Sequence, residues 1–450
     1  MTLPPLEARL QRRYQQIVTE SLHVSSAVAP GIRALPGDGT AFASTQAAWR
    51  FYSNPKVSRI DLAHPLIACG RALAESELEA VGLVVHDWSD LNYGAHTSKT
   101  DRIKICAKGT LGYCLQSSLL LSDRDGVPLS PLAQSLWASD GVRTTRATQV
   151  LEDRSALDEV SETMGAIDAL GLAKPLVHII DRAGDSVAHY RRWNAQHRLV
   201  LVRANEKPRV EVEGRQRALR EVAEGLTWSS ADAVEISAGV VGQQFVAETK
   251  VTITRAARPR RQKGEVEAGR KAEPGEPVTL RLIVSEIRTP DEAVVVRWYL
   301  LTNVEGVAAE TLARWYYWRW KIESYFKLMQ SAGLELEHWQ QEGAEPIAKR
   351  MLVSSMACVV VWQLQRAQSR EAELTRHVLL RLSGRQMRRD TPATAPALLA
   401  GMWVLLATLD ALEQYSIEEL KQMARVAVPD FLRPDEPPTP RPRSRTRRQG

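Results

Sequence analysis

Two apolar runs, Val81 to Val85 and Leu176 to Ile180, each lead into an aspartate: Asp87, just past His86, and Asp181. In a sheet that combines a hairpin with a returning parallel strand, the first and fourth strands can lie side by side. Both carboxylates would then reach the same carboxyl edge, where ligands bind in such sheets. Joined by a third carboxylate, they would form an oxygen-rich site for a pair of Mg²⁺ ions ~3.5 to 4 Å apart, with Mn²⁺ as a substitute. One ion would activate a water or a 3′-hydroxyl and the other would stabilise the leaving oxygen. Alone the pattern is weak, because aspartate commonly opens the turn after a strand.

The third acid is found on a helix. From Trp315 onward, at ~100° per residue, Trp315, Trp318, Ile322, Tyr325, Phe326 and Met329 share one arc, an ordinary core face. A second arc collects Tyr316, Arg319, Glu323, Lys327 and Gln330. Either this arc is a solvated face, or it is a catalytic one with Glu323 as a metal ligand and its cationic neighbours on phosphates. Asp90 and Asp185 lie near the two aspartates, but turn and cap roles suit them better. No P-loop pattern is present, so ATP is not expected to drive the chemistry.

These residues need a scaffold, and the chain is long enough to build one. Its 450 residues suggest two to four structural units, and 44% hydrophobic with 25% charged residues excludes wholesale disorder. Cys69, Cys106, Cys114 and Cys358 are spaced neither for zinc nor for a disulfide framework. Residues 1–14 build no apolar signal segment. Ala397 to Leu409, thirteen residues, would span about 20 Å as a helix, short of a bilayer. It reads as a buried helix, and the protein as cytoplasmic with no membrane partner.

The net charge is +6, and it is unevenly distributed. Arg255 to Lys271 and Arg433 to Gly450 are basic, poor in apolar residues, and suited to phosphates or simply to solvent.

The periodicities give an order of elements. Leu6 to Leu22 is helical, and Thr45 is a candidate N-cap for a helix stopping at Ser53 to Pro55. Three strands, a helix, a strand, a helix and a strand then run to Val202, with a hairpin turn at Asp123 to Gly126. Strands dominate from about Asn205 to Leu301. One long helix from Glu310 to Ala332 and another from Ile347 to Arg366 precede a final helical region. The fold class is α/β, a mixed sheet interrupted by a β-insertion between helical N- and C-terminal regions. The expected units are 1–66 (helical), 67–204 (first part of the core), 205–301 (β-insertion), 302–365 (second part of the core), 366–430 (helical) and 431–450 (extended tail).

The segment with Tyr316, Arg319 and Glu323 resembles the Y-R-E-K signature of the bacterial insertion-sequence DDE transposases of the family numbered four. His86 to Tyr93 is similar to that family's first-aspartate segment, and Ile180 to Asp185 to its second. Leu199 to Arg203 is similar to the strand and arginine that follow, Gln46 to Val57 to an N-terminal DNA-binding segment, and Arg297 to Thr302 to the strand closing the insertion. The likeness covers about residues 40–365. It implies an RNase H-like core with Asp87, Asp181 and Glu323 as catalytic, metal-holding triad. It also implies DNA contacts from Tyr316, Arg319, Lys327, Gln330, Arg203, Arg182 and Arg50, with Trp298 stacked on a flipped base. The implied partners are double-stranded terminal inverted repeats, target DNA and a second copy of the chain in a homodimer, in a bacterial cytoplasm. Gln330 stands where the family has lysine, and the C-terminal region is short. A related nuclease or resolvase, or an inactive DNA-binding repressor, are the alternatives.

Overall fold

The computed structural model describes residues 2–23, 40–105, 109–152, 154–237, 240–257, 272–330, 334–385 and 392–427. Most of the basic 255–271 segment, the 431–450 tail and Cys106 lie outside these. Three helices open the chain: α1 (Ala8–His23), α2 (Thr40–Ser53) and α3 (Arg59–Glu77). Ser58 caps α3 reciprocally, its hydroxyl accepting from the Asp61 N–H while the Asp61 carboxylate accepts from the Ser58 N–H. Thr45 is not a cap but lies inside α2, which ends before Asn54 and Pro55 as expected. α3 runs through residue 66, where the sequence reading placed a boundary.

The middle of the chain holds β1 (Gly82–Asn92), β2 (Ile103–Lys104), β3 (Leu111–Ser122), β4 (Pro128–Ala138), β5 (Gly141–Thr144), α4 (Ala156–Asp168), β6 (Leu176–Ile180), α5 (Val187–Ala195) and β7 (Leu199–Ala204). β8 (Arg209–Val212), β9 (Arg215–Ala218), α6 (Leu219–Glu224), β10 (Ser229–Ser237), β11 (Val240–Ile253), β12 (Val278–Arg288) and β13 (Val294–Thr302) follow. The strands form one 13-stranded sheet in the order β5-β4-β3-β1-β6-β7-β13-β12-β11-β8-β9, with β10 on β11 and β2 on β3. β1 is antiparallel to β3, while β1, β6 and β7 are mutually parallel neighbours. The expected side-by-side placement of the first and fourth long strands is therefore what the chain adopts. The β-insertion is not a separate body: β13 returns and pairs antiparallel with β7, continuing the sheet.

Alternation along the strands assigns the faces. On β1, Leu83 and Val85 join the larger core with α1, α2, α3 and the later helices, whereas Val84 faces a smaller core. On β6, Val177 and Ile179 join that larger core and Ile180 joins the core under α4 and α5. The same period puts Asp87 and Asp181 on the face of the larger core.

After the sheet come α7 (Ala309–Trp318), α8 (Lys321–Met329), α9 (Ala344–Arg366), α10 (Arg370–Leu382), α11 (Ala395–Gln414) and α12 (Ile417–Ala427). The single helix expected over 310–332 is two. At the joint, the N–H groups of Arg319, Ile322 and Glu323 bond three residues back, to Tyr316, Arg319 and Trp320, which tightens the turn. Gly126, at φ +68°, closes the β3–β4 hairpin so close to the Trp318 ring that a Cβ there would meet it at 2.4 Å. α9, buried along most of its length, touches α1, α2, α3, α8, α10 and α11. α11 corrects the sequence reading twice. It has 20 residues, about 30 Å, so the length argument against a span fails; and its outer half is not buried, with Val404, Leu409 and Leu412 exposed.

Candidate active site

The joint between α7 and α8 places a guanidinium among the three sequence-selected acids. Arg319 Nη1 donates to Asp87 Oδ2 at 2.5 Å and Nη2 to Glu323 Oε1 at 3.3 Å. Asp87 lies within β1 rather than at its end, one residue past the last pair with β6. Its second oxygen accepts from the Trp88 N–H at 2.8 Å. Asp181 follows β6 directly, and one of its oxygens accepts from the Ala183 N–H at 2.8 Å, so the ordinary turn role is realised as well.

Burial pushes the Asp87 carboxyl up from 3.8 to about 6. Arg319 and the Trp88 N–H oppose this, but the charges of Asp181 and Glu323 reinforce it. Burial also works against the Arg319 charge, yet Asp87, Tyr316, Glu323 and Asp181 outweigh it and hold the guanidinium above its ordinary value. Both statements describe one cluster: three carboxylates within electrostatic reach of one cation. Asp87 lies on the losing side because one guanidinium does not offset its desolvation and two like charges.

The cluster also contains unpaired polar atoms. The Tyr316 hydroxyl and Arg319 Nε are buried without a hydrogen-bond partner. Burial raises the Tyr316 phenol, while Arg319 and Arg203 lower it, which places Arg203 beside the cluster. Gln330 ends α8 and donates to Ser89 Oγ at 2.9 Å, tying the helix to the strand that carries Asp87. Lys327 is exposed one turn beyond Glu323, and Arg182 is exposed next to Asp181. Arg50 is exposed on α2, which packs on α1 and α9 rather than at this edge.

Trp298 is where the resemblance fails. It is only 4% exposed in the larger core, with its ring 5.1 Å from Tyr316 in an edge-on contact and 6.4 Å from Tyr317. No face is open to a base. Asp185 is a positioning group: its Oδ2 accepts from the Asn205 N–H and Nδ2 at 2.9 and 3.0 Å.

Sequence reasoning missed a buried histidine pair, ending on the exposed Asp168, on the opposite face of the sheet. His86 contacts Ser118 Oγ and His178 Nδ1, each at 2.9 Å, and His178 Nε2 contacts Asp168 at 3.0 Å. It links β3, β1, β6 and α4 just before the two aspartates. The signal was present as one histidine shortly before each aspartate, but its meaning depends on the β1–β6 register.

A divalent cation suits the donor chemistry, three hard oxygen ligands with a charge deficit of two against Arg319. Among the described residues, however, no three His, Cys, Asp or Glu side chains converge closely enough to hold an ion. Arg319 takes that central position.

Compared with known proteins, the sequence matches no family profile and no curated protein. Among solved structures, a piggyBac transposase synaptic complex with hairpin DNA, determined by cryo-EM, aligns with a TM-score of 0.37. It does so at 10% identity, over 95% of this chain and 77% of that one. At that level the fold and the function rest on this chain's own residues.

Proposed function

We propose that this chain is a DDE transposase with an RNase H-like core, cutting and joining DNA at terminal inverted repeats as a homodimer. The observation that carries the reading is Arg319 bonded to both Asp87 and Glu323, with Asp181 within electrostatic reach, at the edge of two adjacent parallel strands. The strand order β4-β3-β1-β6-β7 supports an RNase H-like core, and the Tyr316, Arg319 and Glu323 spacing supports the transposase branch.

With Arg319 displaced from the carboxylates, Asp87, Asp181 and Glu323 would hold Mg²⁺, which would supply Lewis acidity toward the scissile phosphate and a nucleophilic oxygen at neutral pH. Arg319 neutralises the carboxylates before substrate arrives. Once they are neutralised otherwise, its fork is free for a phosphate, which it can bind through two parallel N–H donors. The Tyr316 hydroxyl, unpaired and beside Arg319, offers a further donor to that phosphate. Gln330, held by Ser89, keeps α8 in register with β1 so that Glu323 stays opposite Asp87. Trp298 supports the Tyr316 ring from below and thereby positions the phenol.

The test is incubation of the full chain with duplex DNA carrying the element's own ends and Mg²⁺, followed by strand mapping. Nicking at the end, then joining, with both lost in Asp181→Asn, is the expected result. Nicking without joining would assign a nuclease; no nicking, or nicking unchanged in Asp181→Asn, would refute the site.

A further inference from the structure

A second feature lies at the same sheet edge. A cleft of about 740 Å³ is walled by the turn from Asp185 into α5, by the link from β7 to β8, and by the residues just after β11. Among the described residues, three cations line it, Lys207, Arg209 and Arg255, against one carboxylate, Asp185. Asp185 is turned into the wall, where it holds the Asn205 N–H and side-chain amide. The Arg255 wall is fixed by Arg191, which donates to the Arg255 carbonyl at 2.9 Å. Lys207 and Arg209 are exposed, and Arg209 makes one long contact of 3.4 Å to the Gln216 carbonyl.

Two further observations indicate the kind of ligand. No side chain caps the α5 N-terminus, because Ser186 Oγ is engaged by His189 Nδ1 at 2.9 Å, and Val187 and Ala188 of that first turn line the cleft. The helix end therefore adds to the positive potential of the three cations. Among the described residues lining the cleft there is no aromatic ring to grip a base by stacking, and the contacts suit sequence-independent phosphates. Three cations spread along an open cleft suit a chain of phosphates better than a single enclosed anion.

We propose that this cleft binds the phosphodiester backbone of the DNA strand whose scissile phosphate lies at the Asp87, Asp181 and Glu323 cluster. Position supports this: Asp185 is four residues past Asp181 on the same turn, and Asn205 directly follows β7. A basic stretch of the sequence, with Arg258, Arg260, Arg261, Lys263, Arg270 and Lys271, joins Ala257 to Glu273, which pair beside this wall. The cleft's three cations carry the proposal without it. The proposal rests on the nucleic-acid reading of the carboxylate cluster.

The experiment measures binding of a short DNA duplex to the full chain by fluorescence anisotropy across a KCl series. It compares wild type, the triple variant Lys207→Gln, Arg209→Gln, Arg255→Gln, and Lys421→Gln as a distant control. Each lost phosphate contact removes about 0.9 from the slope of log affinity against log salt, so the triple variant should lose about 2.7 and the control nothing. Arg255 lies near the buried Tyr190 hydroxyl. If the triple variant fails to fold, the pair Lys207→Gln, Arg209→Gln, on exposed side chains, should still lose about 1.8. An unchanged slope overturns the proposal, as does displacement of the duplex by inorganic phosphate at concentrations matching the bound DNA. Wild type that binds with the expected slope change but never nicks an end would fail the transposase reading and leave the cleft standing. Wild type that does not bind DNA would end both.

Discussion

Asp87→Asn should make this protein more stable, and only where the carboxyl would be ionised. The Asp87 carboxyl lies at about 6 in the folded chain against an ordinary 3.8, a difference worth about 3 kcal/mol at ~1.36 kcal/mol per pH unit. Between those two values the folded state binds more protons than the unfolded state, so stability falls as pH rises through that window. Above about pH 6 the full destabilisation is present. It shrinks to about half near pH 5 and is mostly gone near pH 4. Asparagine keeps the shape and removes the charge. The assay is thermal or urea unfolding of wild type and Asp87→Asn in metal-free buffer near pH 8, 5 and 4. The variant should be more stable by up to about 3 kcal/mol near pH 8, with the gap closing toward pH 4. Adding Mg²⁺ near pH 8 should raise the wild-type midpoint and leave the variant's unchanged, because only a ligand that binds the folded state shifts it. A variant less stable than wild type near pH 8 would show that Asp87 serves mainly as the structural partner of Arg319. A gap that does not change with pH would refute the electrostatic account.

Four other outcomes follow from the same geometry. Asp181→Asn and Glu323→Gln should abolish Mg²⁺-dependent nicking while end-binding, followed by gel shift, is retained. Arg319→Ala leaves Asp87 buried without its cation; unfolding should show a loss approaching the ~3 to 5 kcal/mol of a broken buried pair near pH 8 and a smaller loss near pH 5, where Asp87 takes a proton instead. Trp298→Ala removes a ring from the core and should cost about 3 to 5 kcal/mol in urea unfolding, with Trp298→Phe milder; unchanged stability would restore the base-stacking role. Burial, aided by His178, holds His86 well below 6.5, so the unfolded chain binds the extra proton and stability is lost as pH falls below about 6.5; His86→Asn should flatten that acid limb.

The parts of this fold that are legible in the sequence are those that local periodicity controls. The apolar runs Val81 to Val85 and Leu176 to Ile180 mark two buried strands that each lead into an aspartate at one sheet edge; the β1–β6 register then puts Asp87 and Asp181 on one face. The arcs around Trp315 and Tyr316 survive the break in the helix because two shorter helices in nearly continuous register keep the same residues inward. The break itself has no proline or glycine to announce it; Arg319 is drawn by carboxylates on β1 and α8, a tertiary cause. The burial of Trp298 is equally non-local, since it depends on Tyr316 arriving from α7. So does the pairing of β7 with β13, whose registered residues Ala204 and Tyr299 are separated by the whole insertion. The exposed half of α11 was misread because composition reports how apolar a helix is but not what covers it.

That β7–β13 pairing bears on how the molecule can be taken apart. An insertion hung on two loops could be excised or exchanged like a cartridge, leaving an intact core behind. Here removal of 205–301 would strip β7 of its neighbour along Leu201 to Ala204 and turn an interior strand, parallel to the one that presents Asp181, into a bare edge ready to pair with another chain. Truncation to a minimal catalytic fragment should therefore yield aggregates, and chimaeras should succeed only when the crossover carries β7 and β13 together. By the same reasoning, a designed shortening of the insertion should be tolerated between β8 and β12 only where β13 is kept beside β7.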